Sequence, residues 1–198
     1  MMQPAANDKP ARRRKARRTL ALLALICTAP VVASYFAYYW WRPEARTNYG
    51  ELLEPGAVPR IAGARLDGTP FQLSELQGRW VLLLAETASC ESRCERALYA
   101  TRQARTIQGR EQDRVVRALL LPTDAPAPSM ELLSSHPGII VVRGDSRQWQ
   151  SLPGADAAGA KVYLVDPHGN LVLSYPADPD IRRLAKDLER LLRASRIG

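Results

Sequence analysis

The feature that most limits how this chain can fold is an uncharged stretch near its start, "TLALLALICTAPVVASYFAYYWW", at residues 19–41. A helix of this length is about 34 Å long, at about 1.5 Å of rise per residue. The hydrocarbon core of a bilayer is about 30 Å thick, so such a helix can cross it with some tilt. The sequence therefore predicts one transmembrane helix over residues 19–41.

Charges and aromatic rings on the two sides of this stretch predict its orientation. Residues 1–18 carry seven basic side chains and one acidic one, whereas residues 42–198 carry 21 basic and 19 acidic ones. Basic residues stay on the cytoplasmic side of a membrane, while aromatic rings collect at the headgroup level. Such rings crowd the far end of the stretch, namely Tyr35, Phe36, Tyr38, Tyr39, Trp40 and Trp41. We therefore expect a cytoplasmic N-terminus and an outward-facing C-terminal domain, so that in a Gram-negative bacterium the protein is anchored in the inner membrane with its C-terminal domain in the periplasm.

A cleaved signal peptide is the alternative interpretation of this segment. "RRRKARR" resembles a signal n-region, and "VVAS" offers small residues for cleavage. The aromatic belt favours a retained anchor, because a cleaved peptide would not need it. Cys27 lies inside the span and is interpreted as a small apolar residue.

The remainder divides into a linker and one domain. Residues 42–60 contain three prolines, two glycines and no periodic apolar pattern, which predicts a linker between a basic tail at 1–18, the helix at 19–41 and a domain at 61–198. The near-neutral balance of residues 42–198 and the lack of a recognisable nucleic-acid module argue against a nucleic-acid partner.

Within the domain, the order of predicted elements is that of a thioredoxin-like α/β fold, with a central mixed sheet flanked by helices. Residues 80–85, "WVLLLA", are apolar on both parities, as in a buried central strand. A helix is predicted over about 89–108, a strand over 114–122, and a hairpin in "AKVYLVDPHGNLVLSYP". A terminal amphipathic helix follows, with Asp178 predicted as its N-cap.

The cysteines Cys90 and Cys94 fall where the first predicted strand enters its helix. Three interpretations stay open: a metal clamp, a redox pair or a structural disulfide. Two soft thiolates suit Cu(I). On a regular helix, Cβ atoms four residues apart are about 5–6 Å from each other, wider than the roughly 3.5–4.5 Å of a disulfide. A disulfide therefore requires Cys90 to lie just before the helix, or the first turn to distort.

The chain resembles the Sco/SenC family over most of residues 61–193. The likeness rests on "DGTPFQLSELQGRWVLLL", the C-x3-C pair, "VVRALLLPTDAP" and "YLVDPHGNL". More narrowly, "CESRCERALYATRQARTIQGR" and "KDLERLLRASRIG" resemble divergent Sco-like membrane proteins. The resemblance implies a membrane-anchored thioredoxin-like protein that helps to load copper during cytochrome c oxidase assembly, with Cys90 and Cys94 as copper ligands.

The resemblance departs from the family at the third copper ligand. Sco proteins supply a histidine shortly before the "YLVD"-type strand, where this chain has "GADAAGAKVYLVD", with Ala158 near that place. His136 and His168 are the two histidines of the chain, and both are interpreted as loop residues rather than ligands. Asp156 and Glu86 are alternative oxygen donors, and Lys161 is interpreted as a strand-edge charge.

The leading hypothesis is oxidase assembly through Cys90 and Cys94, as Cu(I) ligands or as a catalytic pair in thiol–disulfide exchange with an oxidase subunit or assembly factor. Whether the protein is an enzyme stays open, since it would at most be a thiol–disulfide oxidoreductase. The alternative is a non-catalytic scaffold, in which the cysteines form only a structural disulfide. Arginines between Arg93 and Arg117 would then bind an acidic partner.

Overall fold

The structure, a computed structural model, describes residues 9–40, 48–155 and 161–195. By its internal contacts the chain separates into two compact units, Met1–Arg46 and Thr47–Gly198. Trp41 of the predicted span, most of the predicted linker's first half, and Asp156 with Ala158 lie outside the described residues.

The first unit contains one helix, α1, at Lys9–Trp40. Its segment Arg17–Tyr39 has a mean hydropathy of 2.1 and none of it is buried. Pro30 lies inside the helix without ending it, as membrane helices tolerate. By length and composition, this is the one helix of the described chain that is able to cross a membrane.

The second unit is built on a mixed sheet, which has eight strands within the described residues, in the order β1-β8-β7-β4-β5-β6-β2-β3. The strands β4, β5 and β6 are parallel, and β7 is antiparallel to β4. The strand bounds are β1 Glu51–Ala57, β2 Ala62–Arg65, β3 Pro70–Gln72, β4 Trp80–Ala85, β5 Val115–Pro122, β6 Ile139–Gly144, β7 Lys161–Val165 and β8 Asn170–Tyr175.

Helices cover both faces of this sheet. They are α2 Ser92–Ile107, α3 Met130–Ser135, α4 Arg147–Gln150 and α5 Ile181–Ala194, with 3-10 turns at Leu73–Leu76 and Gly109–Arg114. On one face α2 and α5 pack over Leu82, Leu84 and Leu119. On the other face the first 3-10 turn and α4 contribute Leu73, Leu76 and Trp149. All six residues of β4 are buried, which confirms the prediction of a strand covered on both sides.

Strand β1 lies inside the segment that the sequence analysis assigns to a linker. It pairs antiparallel with β8, and its register shifts between Leu52 and Gly56. A bulged edge strand that contains Pro55 and Gly56 shows no apolar alternation, since proline lacks an N–H and the bulge changes which side chains face the core. Leu52 is 68% exposed, whereas Leu53 packs against the core.

A buried carboxylate fixes the chain just before β1. Asp187 on α5 is 2% exposed, and its Oδ2 accepts hydrogen bonds from the backbone N–H of Tyr49 at 2.8 Å and of Gly50 at 2.9 Å. The Tyr175 hydroxyl lies 3.4 Å from the same oxygen. Burial, together with the Asp187 carboxylate, raises the pKa of Tyr175, so this phenol stays neutral. Asp187 is not among the residues that the sequence singles out.

Helix α5 begins two residues later than the sequence predicts. Its N-cap is Asp180, whose side chain accepts from the N–H of Arg183 at 2.8 Å. Asp178, the predicted N-cap, instead forms an ion pair with Arg96 at 3.2 Å. Two aspartates two residues apart flank Pro179, so sequence alone does not decide which of them caps the helix.

This correction gives a stability prediction. Asp180→Ala removes the cap and is expected to lower the free energy of unfolding by about 1 kcal/mol. Asp178→Ala, the matched control, removes an exposed ion pair and is expected to change it by less than about 0.5 kcal/mol. Urea unfolding of the full chain in detergent, followed by tryptophan fluorescence, measures both. A larger loss for Asp178→Ala would contradict the assigned cap.

Candidate functional site: the cysteine pair at the start of α2

The candidate site lies where the central strand β4 ends. The chain leaves the sheet after Ala85 and enters α2 at Ser92, with Glu91 at the N-cap in an extended conformation. Cys90 lies just before the helix and Cys94 in its first turn, and the two form a disulfide with a Cα–Cα distance of 5.1 Å. Of the two geometries that the sequence allows for a disulfide, Cys90 before the helix or a distorted first turn, the structure shows the first.

The two sulfurs differ in their exposure. Cys94 is 1% exposed and belongs to the core cluster with Ala97 and Leu98. Cys90 is half-buried and packs against the edge of the same cluster. An incoming thiolate therefore meets the Cys90 side of the bond, while Cys94 is shielded beneath α2.

The first turn of α2 contributes backbone N–H groups and the positive end of the helix dipole. The Glu91 side chain does not cap the helix; its Oε1 accepts instead from the Ser89 hydroxyl at 3.1 Å. Thiolate charge is stabilised at such a helix start. The exposed side chains nearest in sequence have mixed charge: Glu91 and Glu95 are acidic, and Arg93 and Arg96 are basic.

The base of the cysteine loop is fixed at Glu86. Its N–H donates to the carbonyl oxygen of Leu120 at 3.0 Å, and its own carbonyl oxygen accepts from Trp149 Nε1 at 2.6 Å. Trp149 is 1% exposed and comes from α4, on the opposite face of the sheet. The sequence does not predict the role of this residue, since "DSRQWQ" is too short to show a helical period.

The Glu86 side chain, one of the predicted oxygen donors, is 4% exposed. It has the strand parity of Leu82 and Leu84, whose side chains belong to the cluster under α2. Lys161, the first residue of β7, pairs in register with Ala85. Lys161 therefore lies at the same end of the central strands as the cysteines.

Both histidines lie at the opposite end of the central strands from the cysteines. His136 follows α3 and directly precedes β6, whose first residue, Ile139, pairs with Arg117 near the start of β5. His168 is in the turn between β7 and β8, three residues after Val165, which pairs with Val81 near the start of β4. The six residues of β4 span about 17 Å at about 3.3 Å per residue. Neither imidazole can therefore join the cysteines as a ligand, because metal–nitrogen bonds are only about 2 Å long.

In the part of the chain that the structure describes, no three residues among His, Cys, Asp and Glu are grouped so that they could hold a metal ion. For copper the donors brought together there are the two cysteine sulfurs. These are bonded to each other and must be reduced before they can bind a metal ion.

Two surface grooves lie away from the cysteines. One, of about 710 Å³, runs between the end of α2 and α5 and is lined by Ile107, Gln108, Arg182, Lys186 and Leu192 among others. The other, of about 460 Å³, lies beside the first 3-10 turn and is lined by residues that include Val58, Arg60, Gln77 and Asp166. Neither groove is lined by Cys90 or Cys94.

Comparison with known proteins supports this architecture. A family model described as "Transmembrane-like, thioredoxin-like, C-terminal domain" matches residues 80–195. No curated protein matches the chain. Together with α1, the family description supports a membrane anchor.

Solved structures of Sco proteins share the fold. Copper-bound ScoI of Bradyrhizobium japonicum is 21% identical, with a TM-score of 0.53, and the match covers 68% of this chain and 99% of that one. Apo Sco1 of Thermus thermophilus is 22% identical, with a TM-score of 0.56, and covers 76% and 98%. BsSco is described as a member of the Sco family of cytochrome c oxidase assembly proteins in which a disulfide switch is identified. It is 15% identical, with a TM-score of 0.56, and the match covers 73% of this chain and 96% of that one. The predicted thioredoxin-like fold is thus confirmed.

Proposed function

Because the chain belongs to the family of transmembrane-like, thioredoxin-like C-terminal domains, we propose that it is a membrane-anchored thiol–disulfide exchange protein with Cys90 and Cys94 as its reactive pair. One observation carries the proposal: a half-buried Cys90 is bonded to a fully buried Cys94 at the start of α2. A disulfide that closes so short a loop adds only about 2 kcal/mol by chain entropy, at the low end for disulfides, so its position at a helix start is better explained by reactivity.

The exchange follows from the unequal exposure of the sulfurs. A partner thiolate attacks Cys90 Sγ, which forms a partner–Cys90 disulfide and releases Cys94 as a thiolate. The partner's second thiolate then attacks the partner's first sulfur in the mixed disulfide. This step forms the disulfide of the partner and releases Cys90 as a thiolate. The partner dithiol has lost two electrons and two protons and becomes a disulfide. The Cys90–Cys94 pair has gained the two electrons, and the protons go to the released thiolates or to solvent. The reverse sequence reduces a partner disulfide.

We place this exchange in the assembly of cytochrome c oxidase, on the periplasmic side of a bacterial inner membrane. The support is the Sco-like sequence motifs, the shared fold, and BsSco, which is described as a member of a family of oxidase assembly proteins. The basic residues before the span and the aromatic residues at its far end favour a periplasmic domain. The partner would be an oxidase subunit or assembly factor that carries a dithiol.

Handling of Cu(I) is the second candidate function, with the metal as cargo. It is favoured by the 5.1 Å Cα–Cα distance of the cysteines, since reduction would leave two soft thiolates within reach of one ion, and Cu(I) accepts low coordination numbers. The ScoI structure from B. japonicum is described with copper bound. Cu(II), which also wants nitrogen or oxygen donors, fits this donor set poorly.

Trapping of the mixed disulfide tests the exchange proposal. Cys94→Ser leaves Cys90 as a free thiol, which attacks a partner disulfide to form a partner–Cys90 disulfide and a partner thiolate, and it removes the thiol that would next attack Cys90 and release the reduced partner. The full-length variant in its native membrane is therefore expected to accumulate a disulfide with its partner through Cys90. The product appears as a heavier band on a non-reducing gel and disappears with dithiothreitol, and mass spectrometry identifies the partner.

The matched control is Cys90→Ser, for which at least a tenfold weaker band is expected, because Cys94 is shielded under α2. Cys27, the third cysteine of the chain, is replaced by serine in both variants, so that it cannot contribute. Equal trapping by Cys90 and Cys94, or trapping by neither, would contradict the proposed route.

A further inference from the structure

A buried arginine lies in the middle of the sheet, far from the cysteines. Arg117, the third residue of β5, is 3% exposed and pairs in register with Leu82 on one side and Ile139 on the other. Its Nη2 donates to the carbonyl oxygen of Pro137 at 2.8 Å. Its Nη1 is buried and has no hydrogen-bond partner in the structure of the described chain. An uncompensated guanidinium in the interior is costly.

A histidine beside it has the same property. His136 is 5% exposed, and its Nδ1 is buried without a hydrogen-bond partner among the residues described. Its backbone is fully used, since its N–H donates to Leu133 and its carbonyl oxygen accepts from Ile139. Arg102 on α2 donates to the carbonyl oxygen of Ser135. The carbonyl oxygens of Ser135, at the end of α3, and of Pro137 thus accept one N–H of Arg102 and one of Arg117. Arg117 Nη1 and His136 Nδ1 have no hydrogen-bond partner among the described residues.

The charges that lower the pKa values of this pair are all positive. Burial, and after it Arg105 and Arg102, lower the pKa of Arg117 to about 10. Burial, and after it Arg117 and Arg102, lower the pKa of His136. Asp113 is paired with Arg105 at 3.4 Å, and its side chain is 87% exposed. No carboxylate of the described chain therefore forms an ion pair with Arg102, Arg117 or His136.

We propose that this cluster, composed of Arg102, Arg117 and His136, binds one small monovalent inorganic anion, such as chloride, between Arg117 Nη1 and a protonated His136 Nδ1. The anion would accept the hydrogen bonds of both donors and neutralise the excess charge. A monovalent ion fits better than phosphate or sulfate, because the donors are enclosed and removing the hydration shell of a doubly charged ion costs more.

Binding of the anion and of a proton are coupled. An anion beside His136 favours the charged imidazole, and by reciprocity protonation strengthens the binding of the anion. The cover over the cluster is thin, because all six residues of α3 are at least partly exposed, as are Pro137 and Gly138. An ion can therefore enter by a local movement of the segment between α3 and β6.

The stability of the fold should reflect this coupling. In the unfolded chain the pKa of a histidine is about 6.5, and in the fold that of His136 is lower. Below pH 6.5 the unfolded chain therefore binds more protons, and the fold loses stability as the pH falls through the lowered pKa. A bound anion opposes this loss by raising the pKa of His136.

The test uses the imidazole signals of the full-length protein in an uncharged detergent. Only two histidines are present, and His168 is exposed in the turn between β7 and β8, so it serves as the internal reference. NMR titrations are compared in chloride and in gluconate at equal ionic strength. The pKa of His136 is expected to rise in chloride by about one pH unit for each tenfold excess over the dissociation constant.

Arg117→Met removes the charge and keeps the length of the side chain, and the chloride-dependent shift is expected to disappear. Arg79→Met, at an exposed arginine, is the matched control and should keep it. The wild-type titration decides the matter even if Arg117→Met does not fold. Equal His136 titrations in chloride and gluconate would overturn the proposal and point to a bridging water. A larger shift in sulfate or phosphate would overturn the assignment to a monovalent ion.

Discussion

Replacing both Cys90 and Cys94 by serine is expected to abolish the assembly of cytochrome c oxidase in the native host, to the level of a strain that lacks the protein. Serine has nearly the shape of cysteine but neither exchanges disulfides nor binds Cu(I). The double change is therefore expected to remove both thiol–disulfide exchange and Cu(I) binding. The measurement is oxidase activity in isolated membranes, with the amount of the variant checked by immunoblot.

Cys27→Ser is the matched control for this experiment. It makes the same chemical change on α1, where Cys27 is exposed and unpaired, and it should leave oxidase activity unchanged. Loss of the disulfide costs about 2 kcal/mol by chain entropy, so the double variant is expected to fold. Full oxidase activity in the double variant would instead support the scaffold hypothesis, in which the basic residues of α2 bind an acidic partner.

The second large effect concerns copper. The reduced full-length protein is expected to bind one Cu(I) ion per chain, and Cys90→Ser to bind none, since one sulfur donor would remain. The disulfide form should also bind none, because its sulfurs carry no thiolate charge. Titration under anaerobic, reducing conditions against a competing chromophoric Cu(I) chelator measures the stoichiometry.

The two histidines give matched controls for the titration. His136→Gln and His168→Gln are expected to retain one equivalent of Cu(I), since both residues lie at the end of the central strands away from the cysteines. Loss of binding in either variant would show that a histidine acts as the third ligand and would contradict the placement described here. Absence of binding to the reduced wild type would remove the copper branch and leave exchange alone.

The central elements could be predicted from the sequence, because their signals are local and strong. Trp80–Ala85 is apolar on both parities and becomes the buried strand β4 over that same range. The turn residues 167–170 separate two apolar runs, which become the antiparallel strands β7 and β8. A disulfide requires either that Cys90 precede the helix or that the first turn distort, and α2 begins at Ser92, after Cys90.

The rest could not be predicted, since it depends on contacts between distant residues. The strand β1 exists because β8 offers it an edge, and its own residues carry no strand period. Trp149 and Asp187 are separated in sequence from their partners Glu86 and Tyr49 by 63 and 138 residues, and no spacing rule joins them. The burial of Arg117 and His136 is equally invisible, because an arginine in a strand and a histidine before a proline are ordinarily exposed.

The attachment of Glu86 to β5 and to Trp149 has a consequence for how a partner distinguishes the two redox forms. The hydrogen bonds of Glu86 hold the chain on one side of the cysteine loop, and the buried Cys94 holds it on the other. Opening the disulfide can therefore rearrange little beyond residues 87–91. The oxidised and reduced forms therefore differ mainly in this short segment. A partner that binds one form in preference to the other must contact these few backbone groups closely, because the rest of the molecule keeps its shape.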